Sequence, residues 1–201
     1  MPFSRAFAAV GRARVQILWV AITYGASVTA GVVMAHQGIG VAVRQRDELV
    51  AKALQGKTLV ALDHGFPVRA AAYDFAGNLL LGAVPSTFMG LAVVTPFPVA
   101  AYRGWVGGIV SVDRRHRSRF RTWREGSYYL GVLLLQLIPY TLAGGAGVRL
   151  GLAYVFPRSR YGYAGARRLG FPLEAVRDVG WIYTLVAPLF LVASLVEFLA
   201  R

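Results

Sequence analysis

The segment from Ser127 to Leu150 places the strongest constraint on how this chain can fold. It holds 24 residues, and its only charged side chain is Arg149, close to its end. Because an α-helix rises about 1.5 Å per residue, about 20 apolar residues are enough to cross the hydrocarbon core of a bilayer. The segment is therefore predicted to be a membrane-spanning helix. Its first half is bulky and its second half is rich in glycine and alanine.

The composition extends this interpretation to the whole chain of 201 residues. Hydrophobic residues make up 56% of it and charged residues 15%, whereas soluble domains carry about 25% charged residues. The apolar residues are gathered into further long runs. We expect an all-α membrane protein with one integral membrane domain over residues 1–201. Its four transmembrane helices are predicted at about 15–35, 75–98, 127–152 and 179–199.

Two shorter segments are expected to lie outside this set of spans. Residues 40–56 are predicted to form an amphipathic helix on the membrane surface, because Val43, Val50 and Leu54 share one helical face. A lid packed on the bundle is the alternative. Residues 99–112 are apolar, rich in glycine and too short to span alone, so we expect a re-entrant or interfacial segment covered by neighbouring helices.

The charge pattern suggests a topology. A basic flank followed by the apolar run 15–35 also describes a signal peptide, but this run exceeds the usual apolar core of about 7–15 residues, so we expect a retained first helix. Residues 113–124 contain six arginines, and short arginine-rich loops face the cytoplasm. A fifth span at 99–112 would place that loop outside. We therefore expect four spans in a bacterial inner (cytoplasmic) membrane, with both termini cytoplasmic.

The net charge of +13 would suggest a nucleic-acid partner in a soluble protein. In a membrane protein, basic loops instead contact anionic lipid headgroups, so we expect lipid contacts and no nucleic acid. The predicted headgroup ligands are Arg114, Arg115, Arg117, Arg119, Arg121 and Arg124.

Motifs for catalysis or cofactor binding are not found in the sequence. The chain has no cysteine, so thiolate chemistry and cysteine-ligated metals are excluded. Its three histidines are scattered and have no metal-ligand spacing, and neither a phosphate-binding loop nor a dinucleotide-binding motif is present. We expect no enzyme activity, no cofactor and no metal.

Small and polar residues within the spans are predicted to mediate helix packing and interaction. Gln136 must form a hydrogen bond, because an unpaired polar group in lipid costs several kcal/mol. Its expected partner is Asn78 or a backbone carbonyl freed by Pro85, and a role in a substrate or proton path is the functional alternative. The GxxxG pair in the second half of the third span indicates either a homodimer or packing within one chain. The packing residues are predicted to be Asn78, Ser86, Gly90, Gly104, Gln136, Gly144, Gly147 and Gly151.

The same residues carry a resemblance to a known family. An Asn that opens a helix, glycines through that helix, a glycine-containing turn and a final small-residue helix resemble the stage II sporulation protein M family over about residues 75–152. Gln136 stands where that family has Glu, and Gly131-Val132-Leu133 stand where it has Pro-His-Gly. The matching positions are Asn78, Gly82, Gly90, Gly104, Gly107-Gly108 and Ala143 to Gly151, whereas Arg103 stands where the family has the Asn of its turn.

The resemblance implies a non-enzymatic scaffold that binds other membrane or envelope proteins, with homo-oligomerisation left open. The alternative is a small permease or the membrane subunit of a transporter. A water-filled cavity that reaches Gln136 would favour transport. A closed bundle with a flat glycine-lined surface would favour the scaffold.

Overall fold

The protein is all-α apart from one short hairpin, and the computed structural model describes residues 2–113, 115–156 and 165–199. A π-helical segment, Gly77–Ala83, joins α4 to α5, and a 3-10 turn, Gly90–Ala92, follows α5. Strands β1 (Arg167–Arg168) and β2 (Phe171–Pro172) pair antiparallel. The helices are α1 (Pro2–His36), α2 (Gly40–Leu54), α3 (Lys57–Asp63), α4 (Pro67–Ala76), α5 (Val84–Met89), α6 (Pro96–Ile109), α7 (Trp123–Val155) and α8 (Leu173–Leu199).

Four helices of the described chain are long and apolar enough to cross a membrane, which confirms this part of the expected fold. They are Phe3–His36, Pro67–Ala92, Trp123–Val155 and Leu173–Leu199. The second of these starts eight residues before the expected 75–98 segment and ends earlier. Pro96 is the reason for the early end, because proline cannot continue a helix but suits the first position of the next one.

The second long helix is irregular in its middle. Pro85 has no backbone N–H, and its ring clashes with the carbonyl of the residue four positions before it, Leu81. The π-helical turns of Gly77–Ala83 lie directly before this proline and adjust the hydrogen-bond ladder to it. The kink expected at Pro85 therefore takes the form of a π-helical segment, and this segment brings Asn78 into the bundle.

The second half of α7 is held by close backbone contacts on two sides. A Cβ atom added to Gly147 would lie 2.8 Å from Cα of Thr87, and one added to Gly145 would lie 2.6 Å from Cα of Ile17. Thr87 Oγ1 also donates a hydrogen bond of 3.0 Å to the carbonyl of Ala143. Helix α7 thus packs directly against the backbones of α5 and α1, at distances that only glycine permits.

Helix α8 covers a further side of α7. Ile182, Val186 and Phe190 recur at four-residue spacing, form one stripe and are fully buried. The Phe190 ring meets Tyr140 of α7 edge-on, with ring centroids 4.8 Å apart. These side chains form the main hydrophobic core together with residues of α1.

Helix α6, which contains most of the segment expected to be re-entrant, packs along α1. Gly104 lies against the carbonyl of Tyr24, and a Cβ atom added to Gly108 would lie 2.8 Å from Cα of Gly31. Because the contacts advance in the same order on both helices, α6 and α1 run parallel. Helix α6 therefore makes a return pass through the bundle in the direction of α1.

Two contacts fix the direction of α8. Arg12 Nε donates a hydrogen bond of 2.7 Å to Asp178 Oδ2, so the starts of α1 and α8 lie together. Tyr128 near the start of α7 donates its hydroxyl proton to the carbonyl of Glu197, at 2.9 Å, near the end of α8. Helices α1 and α8 thus point the same way, and α7 points the opposite way.

The end of α1 meets the loop that follows α6, since His36 Nε2 and Ser118 Oγ are 2.8 Å apart. We call this side of the bundle the arginine end; it comprises the ends of α1, α6 and α8, together with α2, the loop 110–122 and the start of α7. The start of α1 and the end of α8 are consequently at opposite ends of the bundle. The arrangement within the bundle differs from one with both termini at the same end, because α6 runs back along the bundle in the direction of α1; the side of a membrane that each terminus faces stays a prediction.

The glycine contacts generate a prediction for stability. Gly147→Ala is expected to lower the free energy of unfolding by about 1–3 kcal/mol, because the added methyl meets the backbone of α5. Gly131→Ala on the same helix is the matched control, since no atom lies within 4 Å of its added Cβ. Helix propensity alone should stabilise this control by up to about 1 kcal/mol. Unfolding of the purified protein in detergent measures both, and equal effects would contradict the packing.

Candidate functional site

A cleft with a volume of about 690 Å³ opens between α6 and α7. Its polar lining consists of side chains from α1, the π-helical segment, α6 and α7, and Leu49 of α2 lines it at the arginine end. The volume falls in the range of about 300–1,000 Å³ that is typical of small-molecule sites. The cleft reaches Gln136. The polar side chains that line it are Tyr24, Asn78, Tyr102, Arg103, Gln136 and Tyr140.

Arg103 lies midway along α6 and supplies a positive charge to the cleft. Its guanidinium carbon is 4.4 Å from the centroid of the Tyr140 ring, which is a cation–π contact. Among the residues that the structure describes, Arg103 forms no ion pair with a carboxylate. Sequence reasoning assigned Arg103 only to a turn; its isolation within the apolar run 99–112 was the signal that could have marked it as a site residue.

A chain of hydrogen bonds runs from the cleft into the bundle. The Tyr140 hydroxyl donates to Asn78 Oδ1 at 2.6 Å, and Asn78 Nδ2 donates to Asp74 Oδ2 at 2.9 Å. Ser194 Oγ of α8 donates to the same carboxylate oxygen at 2.8 Å. Asn78 thus accepts a hydrogen bond from α7 through its amide oxygen and donates one within the second helix through its amide nitrogen. Sequence reasoning missed Asp74, although its position four residues before Asn78 places both on one helical face.

The hydrogen bond of Gln136 runs to α8. Its Nε2 atom donates to Glu197 Oε2 at 2.8 Å. The expected bond between Gln136 and Asn78 is therefore wrong, because Asn78 is engaged by Asp74 and Tyr140. Gln136 lies one helical turn before Tyr140, so the two side chains share the cleft wall and connect α7 to different helices.

The small residues predicted to mediate packing lie inside the fold. A Cβ atom added to Gly90 would lie 2.5 Å from Cα of Gly147, and one added to Gly151 would lie 2.7 Å from the carbonyl oxygen of Leu91. The two glycines of the GxxxG pair, Gly147 and Gly151, thus pack against α5 and the 3-10 turn of the same chain. Gly144 faces Val20 of α1, and Ser86 donates a hydrogen bond to the carbonyl of Gly82 within its own helix.

Helix α2 is fastened to the loop 110–122 by a buried arginine. Arg46 is 2% exposed, and its Nη1 donates to the carbonyl of Asp113 at 3.0 Å. Its Nη2 lies 3.1 Å from Nε2 of His116, and the guanidinium also pairs with Asp47. The buried residues of α2 are therefore Ala42 and Arg46 and not the expected face. Composition rules place arginine at the surface, so this anchor was missed.

Asp113 shapes the same loop. Its carboxylate accepts the backbone N–H of Arg117 at 2.9 Å and of Arg115 at 2.8 Å, and it accepts Nε of Arg117 at 3.0 Å. Led by the backbone hydrogen bond from Arg117, these donors lower the pKa of Asp113 to about 2. The carboxylate thus stays ionised at neutral pH and holds the loop in a tight turn.

The arginines of this loop face outward. A hollow of about 580 Å³ lies beside them, and Arg119 covers the Tyr129 ring at 5.9 Å. Trp123 is 90% exposed at the start of α7. Exposed arginines beside an exposed indole are typical of a surface that meets a membrane interface. The exposed arginines are Arg115, Arg117, Arg119, Arg121 and Arg124, whereas Arg114 lies outside the described residues.

The hydrogen-bond chain generates a prediction on coupling. Asn78→Leu and Tyr140→Phe should each destabilise the protein by about 1–3 kcal/mol, because each leaves a buried polar partner unpaired. The double variant should lose less than the sum, with a coupling of about 0.6 kcal/mol and up to about 1.7. Denaturant unfolding in mixed micelles measures the cycle. Strict additivity would show that the two side chains do not share the bond.

Comparisons of the chain with family models, curated proteins and solved structures find no match. The resemblance to the sporulation protein M family therefore rests on the residues quoted above. The described residues offer three features for a functional interpretation: the cleft, the Arg103 guanidinium without an ion-pair partner among them, and the arginine end.

Proposed function

We propose that this chain is a multi-pass protein of a bacterial cytoplasmic membrane that binds a solute in the α6–α7 cleft, as a small permease or the membrane subunit of a transporter. The observation that carries the proposal is the cavity of about 690 Å³ that reaches Gln136 and contains Arg103. A charged side chain inside a membrane bundle is costly, and such residues mark substrate or ion pathways.

The backbone beside the cleft supports the same proposal. Asn78 lines the cleft from within the π-helical segment, and the second long helix breaks off before α6 begins. Irregular backbone within a membrane is tolerated where protein covers it or where it lines a cavity. Transporters commonly build their binding sites from such interrupted helices.

We propose that the arginine end faces the cytoplasm, since short arginine-rich loops obey the positive-inside rule. The exposed guanidinium groups of the loop 110–122 would then contact anionic lipid headgroups. The parallel directions of α1 and α8 would place the start of α1 on the other side of the membrane.

A membrane scaffold similar to the sporulation protein M family is the second candidate. The observation that favours it lies on the outer face of α1, where Ala26 and Ala30 are exposed four residues apart. Exposed small residues at this spacing let a partner helix approach closely. The partner would be another membrane protein or a second copy of this chain.

Cysteine accessibility tests the cleft in a chain that has no cysteine of its own. Leu133→Cys and Val106→Cys, which replace residues lining the cleft, should react several-fold faster with a membrane-impermeant thiol reagent than Leu134→Cys. Leu134 is the matched control, because it is the neighbour of Leu133 and faces outward with 52% exposure. The cleft cysteines should react faster because the reactive thiolate forms in water and not in lipid.

The reaction is measured with the protein in lipid nanodiscs. Equal protection at positions 133 and 134 would mean that the cleft is dry or filled. That result would contradict a transport function and favour the scaffold.

A further inference from the structure

We propose that the α6–α7 cleft takes a single-chain anionic amphiphile, a molecule with a carboxylate or phosphate monoester head and one alkyl chain. This inference rests on the proposed function and names the ligand class of the same cleft. Two properties of the cleft lead to it: the Arg103 guanidinium, which has no carboxylate ion-pair partner among the described residues, and the apolar side chains that line much of the cleft between Arg103 and the arginine end.

The head would bind at Arg103. The Tyr140 ring lies against the guanidinium and fixes its position, and the Tyr140 hydroxyl, which donates its proton to Asn78, also interacts with the guanidinium. Asp74, the carboxylate connected to this cluster, receives hydrogen bonds from Asn78 and Ser194 instead of from the guanidinium. Arginine presents a planar fork of N–H donors that matches a carboxylate or a phosphate. The cleft therefore selects for an anion.

The alkyl chain would lie along the wall between Arg103 and the arginine end. Val106 follows Arg103 on α6 and Val110 caps the end of that helix, Leu133 faces them from α7, and Leu49 lines the far end. Val110 lies seven positions after Arg103, which corresponds to about 10 Å of wall along the helix axis. Each methylene buried there would tighten binding about four-fold, so an alkyl chain adds affinity that a bare inorganic anion lacks.

Binding of radiolabelled decanoate to the full chain in nanodiscs of uncharged lipid, corrected with empty nanodiscs, tests the proposal. Decyl phosphate should compete with decanoate, while decanol and acetate should each compete at least about tenfold less well. Arg103→Gln should weaken decanoate binding by about tenfold or more, and Arg103→Lys should restore part of the loss. Arg69→Gln is the matched control, because Arg69 also lies over a tyrosine ring, that of Tyr73, but outside the cleft.

A second variant keeps the test decisive if Arg103→Gln fails to fold. Val106→Trp fills the cleft with a bulky side chain and keeps the Arg103 guanidinium, and it should also abolish decanoate binding. Unchanged binding in Val106→Trp would overturn the assignment of the site.

The remaining outcomes separate the ligand class from the proposed function. Decanol competing as well as decanoate would overturn the anionic head, and acetate competing as well would overturn the alkyl chain. Absence of decanoate binding, with Leu133→Cys still reactive, would overturn the ligand class and leave a water-filled cleft for another solute. Absence of decanoate binding together with an unreactive Leu133→Cys would overturn the ligand class and the transport function together.

Discussion

Close contact between the glycine half of α7 and the backbones of α1 and α5 is the constraint on which the structure depends. Gly145 meets Ile17 on one side, and Gly147 meets Thr87 on the other. Such contacts rely on van der Waals packing over short distances and need no polar side chains. They fix α7 between two helices along one half of its length. The other half of α7 is then free to carry polar side chains.

The two halves of α7 therefore have different roles. In the half that precedes the glycines, Tyr140 donates a hydrogen bond to the second helix and Gln136 donates one to α8. Both side chains line the cleft. The position of Arg103 above the Tyr140 ring, without a carboxylate partner among the described residues, is a local conflict with burial rules. Conflicts of this kind concentrate at functional sites, where the rest of the structure stabilises them.

Sequence reasoning reached the parts of this fold that are encoded locally. Long apolar runs predict long helices, and a cluster such as Ala143 to Gly147 predicts close packing, because both depend on neighbouring residues alone. The bond from Gln136 to Glu197, the burial of Arg46 and the direction of α8 depend on which helices become neighbours. The path of α6 decides that direction, and a 14-residue apolar segment can cross or turn back with the same composition.

An experimental structure of the chain in a lipid nanodisc, obtained by electron cryomicroscopy with a bound antibody fragment, tests the central claim most directly. Glycine packing holds α7 in place in this account, while the open cleft beside it contains Arg103 without a carboxylate partner among the described residues. The account predicts α6 and α7 separated by the cleft, with the Arg103 guanidinium on the Tyr140 ring. Helix α6 collapsed onto α7, with Arg103 paired to Asp74 or Glu197, would contradict it.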